Sequence, residues 1–143
     1  MASDIVVDSS VVAKWILTES DSALAFQLVT DISNRGGHLH VLDLGIIETA
    51  NAVRNAQHRK LMSEADARVR IAKLLAMSFQ IEPAFNRLAM AAEFAIKYST
   101  SVYDALFVAL AHELSIQGVT ADVPLYKRVS KDFPEIILLQ DWK

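Results

Sequence analysis

Hydrophobic and polar positions change their spacing many times along the chain, and each change predicts a new element. Compact apolar runs predict five strands, at 4–8, 38–42, 79–81, 119–121 and 136–139. Longer stretches with apolar residues three or four positions apart predict helices, at 11–17, 20–33, 44–60, 64–77, 84–98, 102–116 and 125–131. Because strands alternate with helices, the pattern predicts an α/β fold with a parallel sheet and helices on both faces.

Local signals agree with this division. Gly36-Gly37 predicts the end of the helix at 20–33, and Ser63 is a predicted N-cap for the helix at 64–77. The 143 residues contain no repeat, linker or low-complexity segment, so we expect a single domain over 1–143.

Composition excludes several classes of protein. The chain has no Cys, which excludes thiolate zinc sites, disulfides and thiol catalysis. It begins MASDIVVD, with an acid where a signal peptide carries basic charge, and its apolar runs, such as 105–111, are too short to span a bilayer. We therefore expect a soluble cytoplasmic protein with no membrane partner. A net charge of −3 is unusual for a nucleic-acid-binding protein, but a metal-dependent nuclease uses several acids in its site.

Four acidic residues occupy positions where a parallel α/β sheet binds its ligands, beyond the carboxyl ends of the strands. Asp8 and Asp122 follow the first and fourth predicted strands, and Asp104 opens the apolar helix at 102–116. Each of these three also suits a turn or a helix cap, since Ser101 and Asp104 match a capping box. Glu48 lies inside the helix at 44–60, where no capping role explains it.

Clustering of these acids would have an electrostatic consequence. Two carboxylates about 4 Å apart repel by roughly 4 kcal/mol at an effective dielectric constant near 20. Four carboxylates brought together must therefore take up protons or hold a cation. Oxygen ligands with spare coordination positions suit Mg²⁺ or Mn²⁺, which promote phosphodiester hydrolysis.

At these acids the chain resembles the PIN-domain family, and more closely the VapC toxins of toxin–antitoxin pairs. The matching segments are DSSVVAKW from Asp8, IIETANAVRN around Glu48, TSVYDALFVALA around Asp104 and TAD at 120–122. Two segments depart from the family. The stretch VLDLGIIE, where relatives often carry Pro, contains Asp43 as a fifth acid, and Val-Pro-Leu-Tyr follows Asp122 where many relatives have Gly or a further charge.

The resemblance implies a three-layer α/β/α domain with a central, mainly parallel five-stranded sheet. It implies an endoribonuclease dependent on Mg²⁺ or Mn²⁺, active as a cytoplasmic homodimer and inhibited by a VapB-type antitoxin whose C-terminal segment fills the catalytic groove. The residues implied as catalytic and metal-binding are Asp8, Glu48, Asp104 and Asp122. Supporting hydroxyls are implied at Ser10, Ser101 and Thr120. The hairpin at 44–77 is expected to contribute to the dimer and to antitoxin docking.

Other polar residues have two interpretations. The RNA-binding candidates are Lys14, Asn51, Asn55, Lys127 and Arg128, together with Lys131. Asn51 and Asn55 continue a stripe from Glu48 towards His58 and Arg59, which is either a solvated helix face or a groove for RNA. His38 and His40 share one strand face, as a metal pair does, but no carboxylate partner is apparent nearby, which favours a structural role. Aromatic residues expected in the core or a dimer interface are Trp15, Phe26, Phe94 and Phe107.

Three other functions remain to be compared with the nuclease. A receiver-type phospho-acceptor does not fit, because its paired acids, acceptor Asp and late-strand Lys cannot be matched to positions in this sequence. A haloacid-dehalogenase-type phosphatase needs a second Asp two residues after the first, where Ser10 stands. The third is a catalytically inactive PIN-like module that only binds RNA or protein, and the presence of all four acids argues against it.

Overall fold

Strands and helices alternate through residues 3–143, the part of the chain that this computed structural model describes. The strands are β1 (Ile5–Val7), β2 (Leu39–Leu42), β3 (Gln80–Glu82), β4 (Gln117–Thr120) and β5 (Ile136–Leu138). The α-helices are α1 (Ser9–Ile16), α2 (Ser22–Asn34), α3 (Asp43–His58), α4 (Glu64–Ala76), α5 (Leu88–Tyr98), α6 (Val102–Leu114) and α7 (Val123–Val129). Short 3-10 helices lie at Phe85–Arg87 and Leu139–Asp141. None of the described helices is long and apolar enough to cross a membrane.

The five strands form one sheet in the order β3-β2-β1-β4-β5, and every neighbouring pair is parallel. The predicted three-layer α/β/α fold with a five-stranded parallel sheet is confirmed. The chain builds outward from β1 to β3 and then returns to place β4 on the other side of β1. Ligands of open α/β sheets bind at such a switch point, beyond the carboxyl ends of the strands. Here that point lies between the segments that follow β1 and β4.

Helices cover both faces of the sheet. Successive strand residues point to opposite faces, so Ile5 and Val7 pack with α1, α2, α3 and α4, whereas Val6 packs with α5, α6 and α7. Both faces of the central strand β1 are buried, which explains why β1 is a continuous apolar run. Trp15 and Phe107 are core residues of the two layers, as predicted. Phe26 is 46% exposed and its ring lies under the Lys73 ammonium, so it lies outside the core, which was one of the two places expected for it.

Predicted helix ends agree with the structure to within a few residues. Gly36 has φ 70°, and the Gly37 N–H donates to Ile32 O at 2.9 Å, which ends α2. The Ser63 hydroxyl accepts a hydrogen bond from the Asp66 N–H at 3.0 Å and caps α4. Helix α1 begins two residues earlier than predicted, because the Asp8 carboxylate caps it at once.

Gly118 allows α6 to lie close against β4. A Cβ at this position would lie 2.9 Å from both Ile136 Cδ1 and Phe107 Cζ and 3.0 Å from Ala111 Cβ. Such contacts are tighter than a packed interior allows without movement. The missing side chain therefore brings the helix that carries Asp104 next to the strand that leads to Asp122.

Candidate active site

Asp8 is held in one orientation at the carboxyl end of β1. Its residue is only 8% exposed. Oδ1 accepts a hydrogen bond from the Ser9 N–H at 2.9 Å, and Oδ2 accepts from the hydroxyls of Ser10 and Thr120, each at 2.8 Å. Three donors on one carboxylate fix its rotamer and leave little freedom for it to turn away from the switch point.

The two hydroxyls also tie the ends of β1 and β4 together. Ser10 Oγ accepts from the Ala121 N–H at 3.0 Å, and Thr120 Oγ1 accepts from the Asp122 N–H at 3.1 Å. The hydroxyl oxygens lie 3.3 Å apart. Both hydroxyls therefore accept hydrogen bonds from backbone N–H groups at the end of β4 and donate their protons to the Asp8 carboxylate at the end of β1. This geometry suits the supporting role expected for Ser10 and Thr120.

Asp122 and Asp104 lie at the N-termini of α7 and α6. Asp122 caps α7, with Oδ1 accepting from the Leu125 N–H at 3.1 Å. The Asp104 N–H donates to Ser101 Oγ at 3.1 Å, so Ser101 is the N-cap of α6. The Asp104 carboxylate accepts only a long hydrogen bond from Thr100 Oγ1, at 3.5 Å, within residues 3–143. The capping box is half formed, and capping leaves the Asp104 carboxylate largely unused.

All four acids line one cleft. The Glu48 carboxylate accepts no hydrogen bond from any residue in 3–143, and it faces the cleft from α3. The cleft has a volume of about 220 Å³ and is lined by Asp8, Ser9, Ser10, Ala13, Glu48, Thr49, Ala52, Asp104 and Asp122. The fold thus brings together acids that lie up to 114 residues apart in the sequence. Ser101 is not among the lining residues.

The pKa values of three acids report their crowding. Burial raises the pKa of Asp8, and the charge of Asp104 raises it further, against the hydrogen bonds from Thr120 and Ser10. Burial raises the pKa of Glu48, with added repulsion from Asp8 and Asp104. Burial and the charge of Asp122 raise the pKa of Asp104, although Ser101, Thr100 and Arg128 oppose the shift. Removing these carboxylates from water and placing them together disfavours their charged forms.

The donor set defines what the cleft can hold. Its polar side chains carry only carboxylate and hydroxyl oxygens, which are the ligands that Mg²⁺ and Mn²⁺ prefer. No three His, Asp or Glu side chains within residues 3–143 are close enough together to bind one ion jointly. Mg²⁺ is commonly held by one or two carboxylates with waters in its other positions. The arrangement fits an ion bound in that way.

Comparison with known proteins assigns the family. A family model described as the PIN domain matches residues 5–131. The chain belongs to the PIN domain family. This PIN domain is similar to Ribonuclease VapC3 from Pyrobaculum aerophilum, with 28% identity over 135 residues that cover 93% of this chain and 97% of that protein. The predicted resemblance to VapC proteins is confirmed.

Two solved structures share the fold of this PIN domain. VapBC2 from Rickettsia felis bound to a promoter DNA fragment has a TM-score of 0.66 at 12% identity, covering 94% of this chain and 96% of that chain. VapC20 from Mycobacterium tuberculosis, named as a sarcin-ricin loop cleaving toxin, has a TM-score of 0.65 at 17% identity, covering 92% and 97%. At these identities the likeness concerns the fold.

None of the RNA-binding candidates lines the cleft of this PIN domain. Arg128 is close enough to Asp104 for its charge to lower the pKa of that carboxyl. The Lys14 ammonium donates to Ser20 O at 2.7 Å, and Asn55 Oδ1 accepts from Arg54 at 3.5 Å. Asn51 and Lys127 are exposed. Arg128 is therefore the candidate that the structure connects to the acids.

Two features near the site were not anticipated from the sequence. Asp43, which had no expected role, accepts hydrogen bonds at Oδ1 from the Leu44 N–H at 2.7 Å and the Ala84 N–H at 3.1 Å. It ties the start of α3, the helix of Glu48, to the segment after β3. Tyr103 lines a small depression that also contains Asp8 and Glu48. A sequence signal existed for Tyr103, because it precedes Asp104 and stands outside the apolar run at 105–111.

The expectation that His38 and His40 lack a carboxylate partner is wrong. Asp4 accepts from the His38 N–H at 2.9 Å and lies 2.9 Å from His40 Nε2, and Glu82 lies 3.0 Å from His40 Nδ1. Glu82 also pairs with the buried Arg87 at 3.4 Å. These partners come from the segment before β1 and from β3, so only strand pairing brings them to β2. The predicted structural role of the two histidines agrees with this network, which lies outside the acidic cleft.

Proposed function

We propose that this chain is an endoribonuclease that requires Mg²⁺ or Mn²⁺ and acts as the toxin of a VapBC-type pair in the cytoplasm. One domain over residues 1–143 would carry the activity. The observation that carries the proposal is the single cleft lined by Asp8, Glu48, Asp104 and Asp122 at the switch point of a PIN-domain sheet. The similarity to Ribonuclease VapC3 supports RNA as the substrate.

The four acids would share the binding of the metal ion, with one or two of them coordinating it directly and with water and substrate oxygens in its other positions. The raised pKa values of Asp8, Glu48 and Asp104 support this role, because a cation relieves the repulsion that raises them. When bound, Mg²⁺ or Mn²⁺ lowers the pKa of coordinated water and screens the charge that develops on a phosphate. The protein's part is to keep its oxygens aimed at the cleft.

Each acid has a distinct means of keeping its position. Asp8 is oriented by the hydroxyls of Ser10 and Thr120, which accept backbone donors and so point their protons at its Oδ2. Asp122 uses Oδ1 to cap α7 and keeps its other oxygen for the cleft. Glu48, whose carboxylate has no hydrogen bond within residues 3–143, is free to orient a water or accept its proton.

Recognition of the RNA backbone would come from residues around the cleft. Arg128, whose charge acts on Asp104, would meet a phosphate next to the one being cut. The other proposed contacts are Lys14, Asn51, Asn55 and Lys127. The chain carries a net charge of −3, so its surface as a whole does not attract RNA. The attraction would instead come from the local positive charges of Arg128, Lys14 and Lys127.

Incubation of the purified protein with single-stranded RNA in Mg²⁺ or Mn²⁺ should produce discrete internal cuts. EDTA should stop the reaction and an excess of Mn²⁺ should restore it, because the metal supplies the activation of water. The products are resolved on denaturing gels, and their ends are sequenced. DNA of the same sequence is the control for substrate class. Protein that binds RNA but cuts none of it in either metal would contradict the nuclease and favour the inactive binding module.

We also propose a homodimer and a VapB-type antitoxin as partners. Fold similarity to VapBC2 supports the antitoxin, and expression of the toxin with and without the neighbouring gene tests whether growth is rescued.

Exposed apolar side chains support the dimer. Ile47 on α3 is 63% exposed and Phe85 is 81% exposed, and the Asp43–Ala84 hydrogen bond joins their two segments. The hairpin of α3 and α4 adds exposed Leu61, Val69 and Leu75.

Light scattering at micromolar concentration should give the mass of a dimer for the wild type. The double variant Ile47→Glu with Phe85→Glu should be monomeric, because burying two new carboxylates in an apolar interface is unfavourable. Both positions are exposed in the single chain, so the fold should be kept. Phe26→Glu, on the exposed side of α2, is the matched control and should remain dimeric. A monomeric wild type would contradict the dimer.

A further inference from the structure

Tyr103 has an exposed ring beside the acidic cleft. It is the second residue of α6 and directly precedes Asp104. Its side chain is 62% exposed, while the following residues from Ala105 to Ala111 are buried. Within residues 3–143 its ring has no aromatic partner and its hydroxyl has no hydrogen bond, so neither packing nor a polar contact of the described chain explains it.

Tyr103 lines a small depression that shares residues with the acidic cleft. The depression is lined by Val7, Asp8, Ser9, Val41, Leu42, Leu44, Gly45, Glu48, Tyr103 and Phe107. Asp8, Ser9 and Glu48 line both the depression and the acidic cleft, so the two lie side by side. A polymer with a phosphate at the acids therefore has its neighbouring groups within reach of Tyr103.

Position distinguishes Tyr103 from the other exposed Phe and Tyr side chains of residues 3–143, which are Phe26 and Phe85. A single exposed apolar side chain needs no functional explanation. Phe26 lies on α2 and Phe85 follows β3, and neither lines the depression or the cleft. Tyr103 combines a free planar face with a place next to four carboxylates.

We propose that Tyr103 stacks on an unpaired nucleobase adjacent to the phosphate that binds at the four acids. The inference rests on the proposed nuclease function and deepens it, because it selects single-stranded or looped RNA as the substrate. Bases inside a duplex are stacked on each other and offer no face to a side chain, whereas bases in loops can be splayed onto an aromatic ring. Stacking tolerates any base, so Tyr103 would select strand structure more than sequence.

Equilibrium binding separates this contact from catalysis. Fluorescence anisotropy of a labelled single-stranded RNA is measured with Mg²⁺ in a Glu48→Gln background, so that turnover does not consume the probe. Adding Tyr103→Ala should raise Kd by about 5- to 100-fold, the loss expected for one base–aromatic stack. Tyr103→Phe should recover most of that affinity, because it restores the ring without the hydroxyl. Phe26→Ala removes a ring on α2 that is also exposed, at 46%, and should change Kd by less than about twofold.

An abasic scan identifies the stacked base. Removing that base should weaken binding to the protein with Tyr103 but cause no further loss with Tyr103→Ala, because the two changes delete the same contact. Equal Kd values for Tyr103 and Tyr103→Ala would overturn the proposal. So would a loss that light scattering traces to dissociation of a dimer, which would make Tyr103 a protein contact.

The proposed nuclease function can fail separately. A wild type that cuts no RNA, but binds it in a way that depends on the Tyr103 ring, would overturn the nuclease and support the stacking contact. Cleavage of RNA with Kd and KM unchanged in Tyr103→Ala would support the nuclease and overturn the contact. Wild-type protein that neither binds nor cuts RNA would overturn both.

Discussion

Asp104→Asn should lower the rate of RNA cleavage by about 100- to 10,000-fold. The metal ion is expected to contribute several kcal/mol of transition-state stabilisation, and each 1.4 kcal/mol is about tenfold in rate. The amide keeps the shape of the side chain but loses the charge of a metal ligand. Folding should be unaffected, because the cap of α6 uses the backbone N–H of Asp104, and its carboxylate accepts only the 3.5 Å contact from Thr100.

Glu48→Gln tests the assignment of the acidic site more strictly than Asp104→Asn does. No capping role and no hydrogen bond within residues 3–143 gives the Glu48 carboxylate a structural function, so a loss of activity there can only be assigned to the site. Glu93→Gln makes the same chemical change at an exposed position on α5 and serves as the matched control. Initial rates with a labelled RNA, together with circular dichroism, separate activity from folding. Wild-type turnover in both Asp104→Asn and Glu48→Gln would show that the acids are misassigned.

The sequence was sufficient for the architecture and for the location of the acids. The central strand β1 is a buried apolar run, and the helices between the strands have clear periodicity, so most elements could be predicted from local signals. Asp8 and Asp122 could be placed because residues after parallel strands meet at one edge of the sheet. Glu48 was recognisable because a carboxylate amid Ile46, Ile47 and Ala50 has no structural explanation.

Long-range polar contacts could not be predicted in the same way. Asp4 meets His40 only because β1 pairs with β2 in one register, with Val6 opposite His40. Asp43 meets Ala84 only because the segment after β3 returns to the start of α3. Such contacts depend on the path of loops and on side-chain rotamers, which the spacing of hydrophobic residues does not determine. The orientation of Asp8 by two hydroxyls from different strand ends is of the same kind.

Without metal, the acidic cleft should make stability depend on pH. The folded-state pKa values of Asp8, Glu48 and Asp104 are raised, so the folded protein binds more protons than the unfolded chain in the range above the ordinary values near pH 4. The free energy of unfolding should therefore decrease as pH rises from about 4 through the raised pKa values, and the full penalty should be present only above them. The stabilising protonated forms are complete only below the ordinary pKa values.

Mn²⁺ or Mg²⁺ should cancel this penalty and raise the melting temperature at neutral pH. Binding at 100 times the dissociation constant adds about 2.7 kcal/mol to the free energy of unfolding, which for a domain of this size corresponds to a rise on the order of 5–15 °C. The effect should be present for wild type and largely absent with EDTA. Differential scanning calorimetry over a metal titration measures it, with Glu93→Gln as a variant that keeps the full shift.

Asp104→Asn discriminates a metal ligand from a structural cap in the same melting experiment. Without metal it should melt no lower than wild type, because it removes one charge that Asp8, Glu48 and Asp122 repel and gives up only a weak hydrogen bond. With Mn²⁺ its shift should be smaller than that of wild type. Asp8→Asn is less diagnostic, because an amide in place of Oδ2 would also lose the hydrogen bonds from Ser10 and Thr120. A wild type that Mn²⁺ does not stabilise, combined with an Asp104→Asn variant that melts lower in EDTA, would mean that the acids serve the fold and not a metal ion.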